Sequence, residues 1–229
     1  MSKDGSKGGT FGIEWIDLGR ATSEEIEEAA KTLKFHDLFE IAKPEVHFSE
    51  GKARVRCPEQ FDSVNQGTAG VECLKVKEGM DLVASRLESR RYSAMKGATT
   101  EFTKLEGLTY DPHRNQMYAA VSDIKNGMED NMSAGSPEVK YDIGGDNDIR
   151  VKYNKCGCVY TLKLDQDNRV TKMAPLLCGD SESGLDEKNY CNINSVSNPD
   201  NVAFLDDLDT LLIAEDTRNH ENNVSCFLF

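Results

Sequence analysis

Five oxygen-bearing side chains recur at matching places in two distant stretches of the chain. In KLEGLTYDPHRNQMYAAVSD, residues 104–123, Glu106 opens a short apolar segment and Asp123 closes the next one. In SNPDNVAFLDDLDTLLIAED, residues 197–216, Asp200 and Asn201 stand at the opening and Glu215 at the close. Carboxylate and amide oxygens are hard donors, suited to Ca²⁺, Mg²⁺, Mn²⁺ or Fe³⁺. Gathered in one place, such groups repel one another, and a multivalent cation is the usual means of offsetting that cost. Metal-assisted hydrolysis is the chemistry such a set could perform. The competing explanation is local, because Asp and Asn favour turns and strand ends on their own account. For any one of these residues the local explanation is the stronger. For the repeated layout, a shared site is.

The elements that must position them read as hairpins. GLTY and QMYAAVS flank the turn DPHRN, and VAFL and TLLIAE flank DDLD. In an antiparallel hairpin the start of one strand lies about 5 Å from the end of the next. Glu106 is therefore expected to meet Asp123 at the rim away from DPHRN, and Asp200 or Asn201 to meet Glu215 or Asp216. The hairpins are about 93 residues apart, too far for one propeller blade and suitable for two. KARVRC, AGVECLKV, IRVKY, CVYTLKL and RVTKMAPLL add further strand signals, separated by polar loops such as residues 124–148 and CGDSESGLDEKNYC. The pattern predicts an all-β domain, either sandwich, barrel or propeller. GGDNDIR and LDQDNR resemble calcium loops, but both lack the EF-hand length and closing Glu and read as turns.

Two helical segments interrupt the strands, at about residues 22–42 and 78–96. The first opens with a capping box, Thr22 with Glu25, and carries Ile26, Ala29, Ala30 and Leu33 on one face. The second carries Arg86, Arg90 and Arg91 on or near one side, which could meet a phosphate, although a solvated face is the plainer reading. Residues 1–20 are expected to form a flexible end. The net charge of −13, with no stripe of Lys or Arg, argues against nucleic acid or an anionic membrane surface as partner. No apolar run approaches the ~18 residues that cross a bilayer, and MSKDGSKGGT lacks the apolar stretch of an export signal. Seven cysteines include no CxxC pair, which disfavours tetrahedral zinc. Cys156, Cys158, Cys178 and Cys191 crowd into 36 residues. Loop-closing disulfides in an oxidising compartment are preferred there over buried thiols or metal ligation. Cys57 and Cys73 flank one polar loop, and Cys226 is left over.

RRYSAMKGATTEFTKLEGLTYD, KCGCVYTLKLD and SNPDNVAFLDDLDTLLIAEDTRNHENN resemble the PhoX family of alkaline phosphatases, and KFHDLFEIA is similar to its marine bacterial members. The resemblance covers most of residues 20–225. It implies a six-bladed β-propeller, incomplete here over residues 21–229, with the helical segments as an N-terminal insertion. It also implies a cluster of iron and calcium on the propeller axis that hydrolyses phosphate monoesters. By motif, Glu106, Asp123 and Glu215 match acidic ligands, Asp200 and Asn201 lie in the matching PDN segment, and His220 in TRNHENN is a further candidate. Small phosphorylated metabolites as substrates and a periplasmic or secreted location follow from the same resemblance. Two departures stand out. The family's iron also takes a cysteine N-terminal to this region, and no cysteine here precedes Cys57. The family's chain also continues past VSCFLF, so a fragment, or a split chain needing the rest of the propeller as partner, is expected. Neither a GxSxG elbow nor a P-loop is present, as suits chemistry carried by metal ions. The rival readings are a calcium-dependent lactonase-type propeller and a non-catalytic secreted propeller whose ions stiffen the fold.

Overall fold

The computed structural model describes residues 8–49, 52–67, 70–180, 190–192, 194–216 and 226–228. In chain order the first elements are β1 (Phe11–Gly12), α1 (Ser23–Thr32), α2 (Phe35–Leu38), β2 (Phe39–Ala42), β3 (Glu45–Ser49) and β4 (Lys52–Arg56). Next come β5 (Asp62–Asn65), β6 (Val71–Val76), α3 (Asp81–Leu87), α4 (Ser89–Met95), β7 (Leu105–Asp111) and β8 (Gln116–Val121). The remainder are β9 (Met132–Ser133), β10 (Ser136–Pro137), β11 (Cys158–Leu164), β12 (Val170–Cys178), β13 (Pro199–Leu205), β14 (Thr210–Glu215) and β15 (Cys226–Leu228). The protein is mostly β, its strand pairs antiparallel, and no sheet closes into a barrel among the described residues. No described helix is long and apolar enough to cross a membrane. The chain divides into two compact units. One comprises Met1–Glu14, Phe102–Pro137 and Ile149–Phe229, and the other comprises Trp15–Glu101 and Glu138–Asp148.

The first unit is built on a five-stranded sheet in the order β1-β12-β11-β8-β7 and a three-stranded sheet in the order β13-β14-β15. Alternation along β11 sets the two cores. Cys158 and Tyr160 point into a cluster with Val121, Ile124, Met128, Ile149 and Met173, while Val159 points the other way. There it meets Tyr118, Val196, Leu211 and Ile213, with Val202 and Phe204 of the second hairpin packed alongside. The β13–β14 hairpin thus covers one face of the larger sheet. Burial of a side chain such as Ile213 contributes about 1.5–3 kcal/mol. Disulfides join Cys158 to Cys178 across the β11–β12 pair and Cys156 to Cys191. The segment expected to be a loose end is partly ordered. Phe11 and Gly12 add to the edge of β12, because the Phe11 ring enters the core and meets Phe102 edge-on at 5.7 Å.

The second unit holds the helices, the β2-β6-β5 sheet, the β3–β4 hairpin and the Cys57–Cys73 disulfide. The capping box forms as read, with Glu25 N–H donating to Thr22 Oγ1 and Thr22 N–H to Glu25. The helix does not reach residue 42, however. It ends at Thr32, Lys34 is extended, and Asp37 recaps a single turn through the Lys34 N–H at 2.8 Å. Residues 39–42 pair with β6 instead, since an extended Phe39 fills the core beside Leu38, Val64 and Leu74. Segment 78–96 is likewise two short helices, broken at Glu88. Its arginines all make hydrogen bonds or ion pairs, although Arg90 stays exposed to solvent. Arg91 pairs with Glu72 (2.8 Å) and Glu88 (2.7 Å), Arg90 donates to the carbonyls of Gln66 and Thr100, and Arg86 donates to those of Leu18 and Gly19.

Candidate functional site

The two hairpins share a defect at the same place. Across β7–β8, Leu105 pairs with Val121 and Leu108 with Ala119, so β7 carries one residue more and Glu106 and Gly107 form a bulge. Across β13–β14, Pro199 pairs with Glu215 and Val202 with Ile213, so Asp200 and Asn201 form the matching bulge. The first bulge corrects a sequence expectation. Ser122 N–H donates to Lys104 O and Thr103 Oγ1 donates to Asp123 O, so Asp123 lies beside Thr103 rather than facing Glu106. The second hairpin keeps its acids closer to register, with Asp216 N–H donating to Asn198 O.

The hairpins stack with the same sense. A Cβ added at Gly107 would lie 2.5 Å from Asp200 O and 2.7 Å from Val202 N, so glycine is required for the backbones to approach this closely. Further along, Phe204 N–H donates to Thr109 Oγ1 at 3.0 Å. At the turn end, Arg114 holds Asp209 with both terminal nitrogens (2.6 and 2.8 Å) and also Asp111, while His113 meets Asp206 at 2.9 Å. Burial alone would raise the Asp111 carboxyl. The Arg114 guanidinium, the Arg114 amide and the Tyr118 hydroxyl outweigh it and hold the group below the ordinary range. At the open end, Ser122 Oγ donates to Pro199 O at 2.8 Å, and the Asn198 amide donates to Ser122 O and Lys155 O. Asn198 does this from a left-handed backbone (φ +51°), which Asn tolerates better than most residues.

Glu106, Asp123, Asp200, Asn201 and Glu215 therefore belong to the same end of two stacked hairpins. Their electrostatics differ. Glu106 has Lys104 at 3.4 Å, and Asp123 has Lys125. Burial raises the Asp200 carboxyl, the charges of Glu106 and Asp216 add to this, and Lys104 opposes it. Burial pushes Glu215 up to about 7, although Ser197 N–H donates to its Oε1 at 2.5 Å. Among the described residues no three His, Cys, Asp or Glu side chains form a group able to hold a metal ion. The single donors nevertheless suit calcium. They are hard oxygens, and Asp123 Oδ1 is buried without a hydrogen-bond partner among the described residues. They do not suit an iron with a thiolate ligand, because six cysteines are tied into three disulfides and the Cys226 side chain lies outside the described residues. His220 also lies outside them.

Glu129 is a buried acid that the sequence reading passed over, because it stands in a polar loop with no periodicity. Its only signal is position, six residues after Asp123. Neither a protein-family model, nor a curated protein, nor a solved structure matches the chain.

Proposed function

We propose that this chain is part of a metal-dependent phosphatase that hydrolyses phosphate monoesters of small metabolites, of PhoX type and with a propeller architecture. The observation that carries this reading is the stacking of two hairpins, far apart in sequence, with their bulged acid ends together. Asp200 lies in the field of Glu106 from one hairpin and of Asp216 from the other. Face-to-face packing of successive small antiparallel sheets is also what propeller blades do.

Glu106, Asp123, Asp200, Asn201 and Glu215 are the candidate donors for calcium, which would have to draw them closer together to share one ion. The family's iron would need a further donor beyond the described residues. When bound, such ions supply Lewis acidity, neutralising charge on phosphoryl oxygens and acidifying a bound water. The chain's own groups do the rest. Lys104, beside Glu106 and in the field of Asp200, puts a positive charge where peripheral phosphate oxygens would approach. Without metal, burial raises the Glu215 carboxyl to about 7, so calcium binding there would release a proton. Three disulfides fit an oxidising, periplasmic or secreted setting.

The test is hydrolysis of p-nitrophenyl phosphate with calcium and with chelator. Glu106→Gln and Glu215→Gln are each expected to lower the rate on the order of 100-fold. Rates equal to wild type would remove both residues from the mechanism. The engagement of the described cysteines in disulfides gives a second reading, a calcium-dependent lactonase-type propeller. Turnover of a lactone with none of the phosphate ester would select it.

A further inference from the structure

The loop after β8 contains a second, tighter arrangement of acids. A 3₁₀ turn at Asn126–Met128 folds the chain back, with Glu129 N–H donating to Asn126 O at 2.9 Å. Glu129 is only 3% exposed. Beyond it, β9 and β10 pair through a tight turn whose two central residues, Ala134 (φ +49°) and Gly135 (φ +76°), are both left-handed. For alanine that conformation costs about 1–2 kcal/mol. Its effect is to aim the Gly135 N–H at Glu129 Oε1 (3.0 Å), with the Ala134 and Asn126 amides also favouring the charged carboxylate from nearby. Successive amides converging in this way fix an anion, and here the anion is a side chain of the protein itself.

One oxygen of Glu129 is thereby anchored. The other, Oε2, is buried and has no hydrogen-bond partner among the described residues, and the same holds for Asp123 Oδ1. The remaining Asp123 oxygen takes Lys125 Nζ. The two acids act on one another. Burial raises the Glu129 carboxyl, and the Asp123 charge adds to it. Tyr153 lies in the field of both, its hydroxyl pushed up to about 12 chiefly by burial, and its ring sits 3.8 Å from where a Gly135 Cβ would be. Each buried oxygen without a donor costs on the order of 1–3 kcal/mol. Two such oxygens on one folded loop, six residues apart, could be satisfied together by a single cation.

We propose that Asp123 Oδ1 and Glu129 Oε2 are paired ligands of one hard divalent cation, calcium in the first place. Calcium accepts six to eight oxygens, carboxylate, carbonyl or water, so two carboxylates neutralise its charge and neutral oxygens complete its shell. The site shares Asp123 with the proposed hydrolytic centre, but it needs neither the second hairpin nor phosphatase activity.

Isothermal titration of the chelator-treated full chain with calcium chloride tests this. Saturable binding is expected, weakened on the order of 10- to 100-fold by Glu129→Gln and by Asp123→Asn. Tyrosine-sensitised terbium emission should show the same dependence on Glu129 and fall in Tyr153→Phe. Because Glu129→Gln removes a buried charge, it should melt no lower than wild type in chelator while losing the rise in melting temperature that calcium gives. Equal calcium affinity in wild type and Glu129→Gln overturns the proposal. So does a wild type that binds no calcium, which would leave the two oxygens sharing a proton. Calcium binding lost in Glu215→Gln but intact in Glu129→Gln refutes this site and keeps the hydrolase reading. Glu129-dependent binding without phosphatase activity does the reverse.

Discussion

The β7–β8 and β13–β14 hairpins are near copies in backbone and unlike in charge. Each has its bulge at the second and third residues of the first strand, and each turn ends on a left-handed residue, Asn115 (φ +46°) in one and Asp209 (φ +47°) in the other. In the first, lysines stand beside both acids, Lys104 by Glu106 and Lys125 by Asp123. In the second, burial raises the carboxyls of Asp200 and Glu215, and Glu215 reaches about 7. The same geometry therefore presents acids paired with lysines in one hairpin and acids whose carboxyls burial raises in the other. A backbone repeat fixes where oxygens stand, whereas the neighbours of each oxygen fix its charge.

Three measurements would break or sharpen that comparison. The largest effect is expected from Cys156→Ala with Cys191→Ala, which cuts the covalent tie between the β11 end of the first hairpin's sheet and the segment leading into β13. With the cysteines 35 positions apart, the loss should be about 4 kcal/mol in urea unfolding. No loss would mean that the second hairpin holds its place by packing alone. Next is Gly107→Ala, whose new methyl would meet the backbone of Asp200 and Val202. It should cost about 1–3 kcal/mol. Asn201→Ala, at the matching bulge position and exposed, should stay within about 0.5 kcal/mol. Equal costs at the two positions would remove the asymmetry of the bulges.

The smallest effect concerns pH. The folded Glu215 carboxyl sits near 7, above its unfolded value, so the folded state binds more protons between the two values. That contribution is fully present below the unfolded value and is lost as pH rises through about 7. In chelator, wild type should lose about 1–2 kcal/mol between roughly pH 5 and 8, and Glu215→Gln should be flat across that range. A flat wild-type profile would show that Glu215 is as well compensated as the first hairpin's acids.

Much of this was legible in the chain. The turns DPHRN and DDLD between apolar runs located both hairpins, and the acids at their open ends marked the candidate site. What stayed hidden depends on contacts between distant residues. The Arg114–Asp209 pair spans 95 residues, and neither turn alone announces the other. Phe39 carries the same apolar signal in a helix as in a strand, so only its pairing with Val76 decided between them. Glu129 owes its burial to a strained turn five residues later, which no periodicity encodes. The bulges were invisible too, since each lies at the start of its strand and leaves only one paired residue, Leu105 or Pro199, to show the change of phase.

The clamp formed by Arg114, Asp111 and Asp209 joins the hairpins at their tips, as a spring joins the arms of tweezers, and the Phe204–Thr109 bond steadies them midway. A strand of six or seven residues is about 20 Å long, so a tilt of a few degrees at the spring displaces the far points by about 1 Å. Metal–oxygen distances tolerate only about 0.2 Å. The bonds from Ser122 and Asn198 near the far points act as the stop that sets the gauge of the jaws.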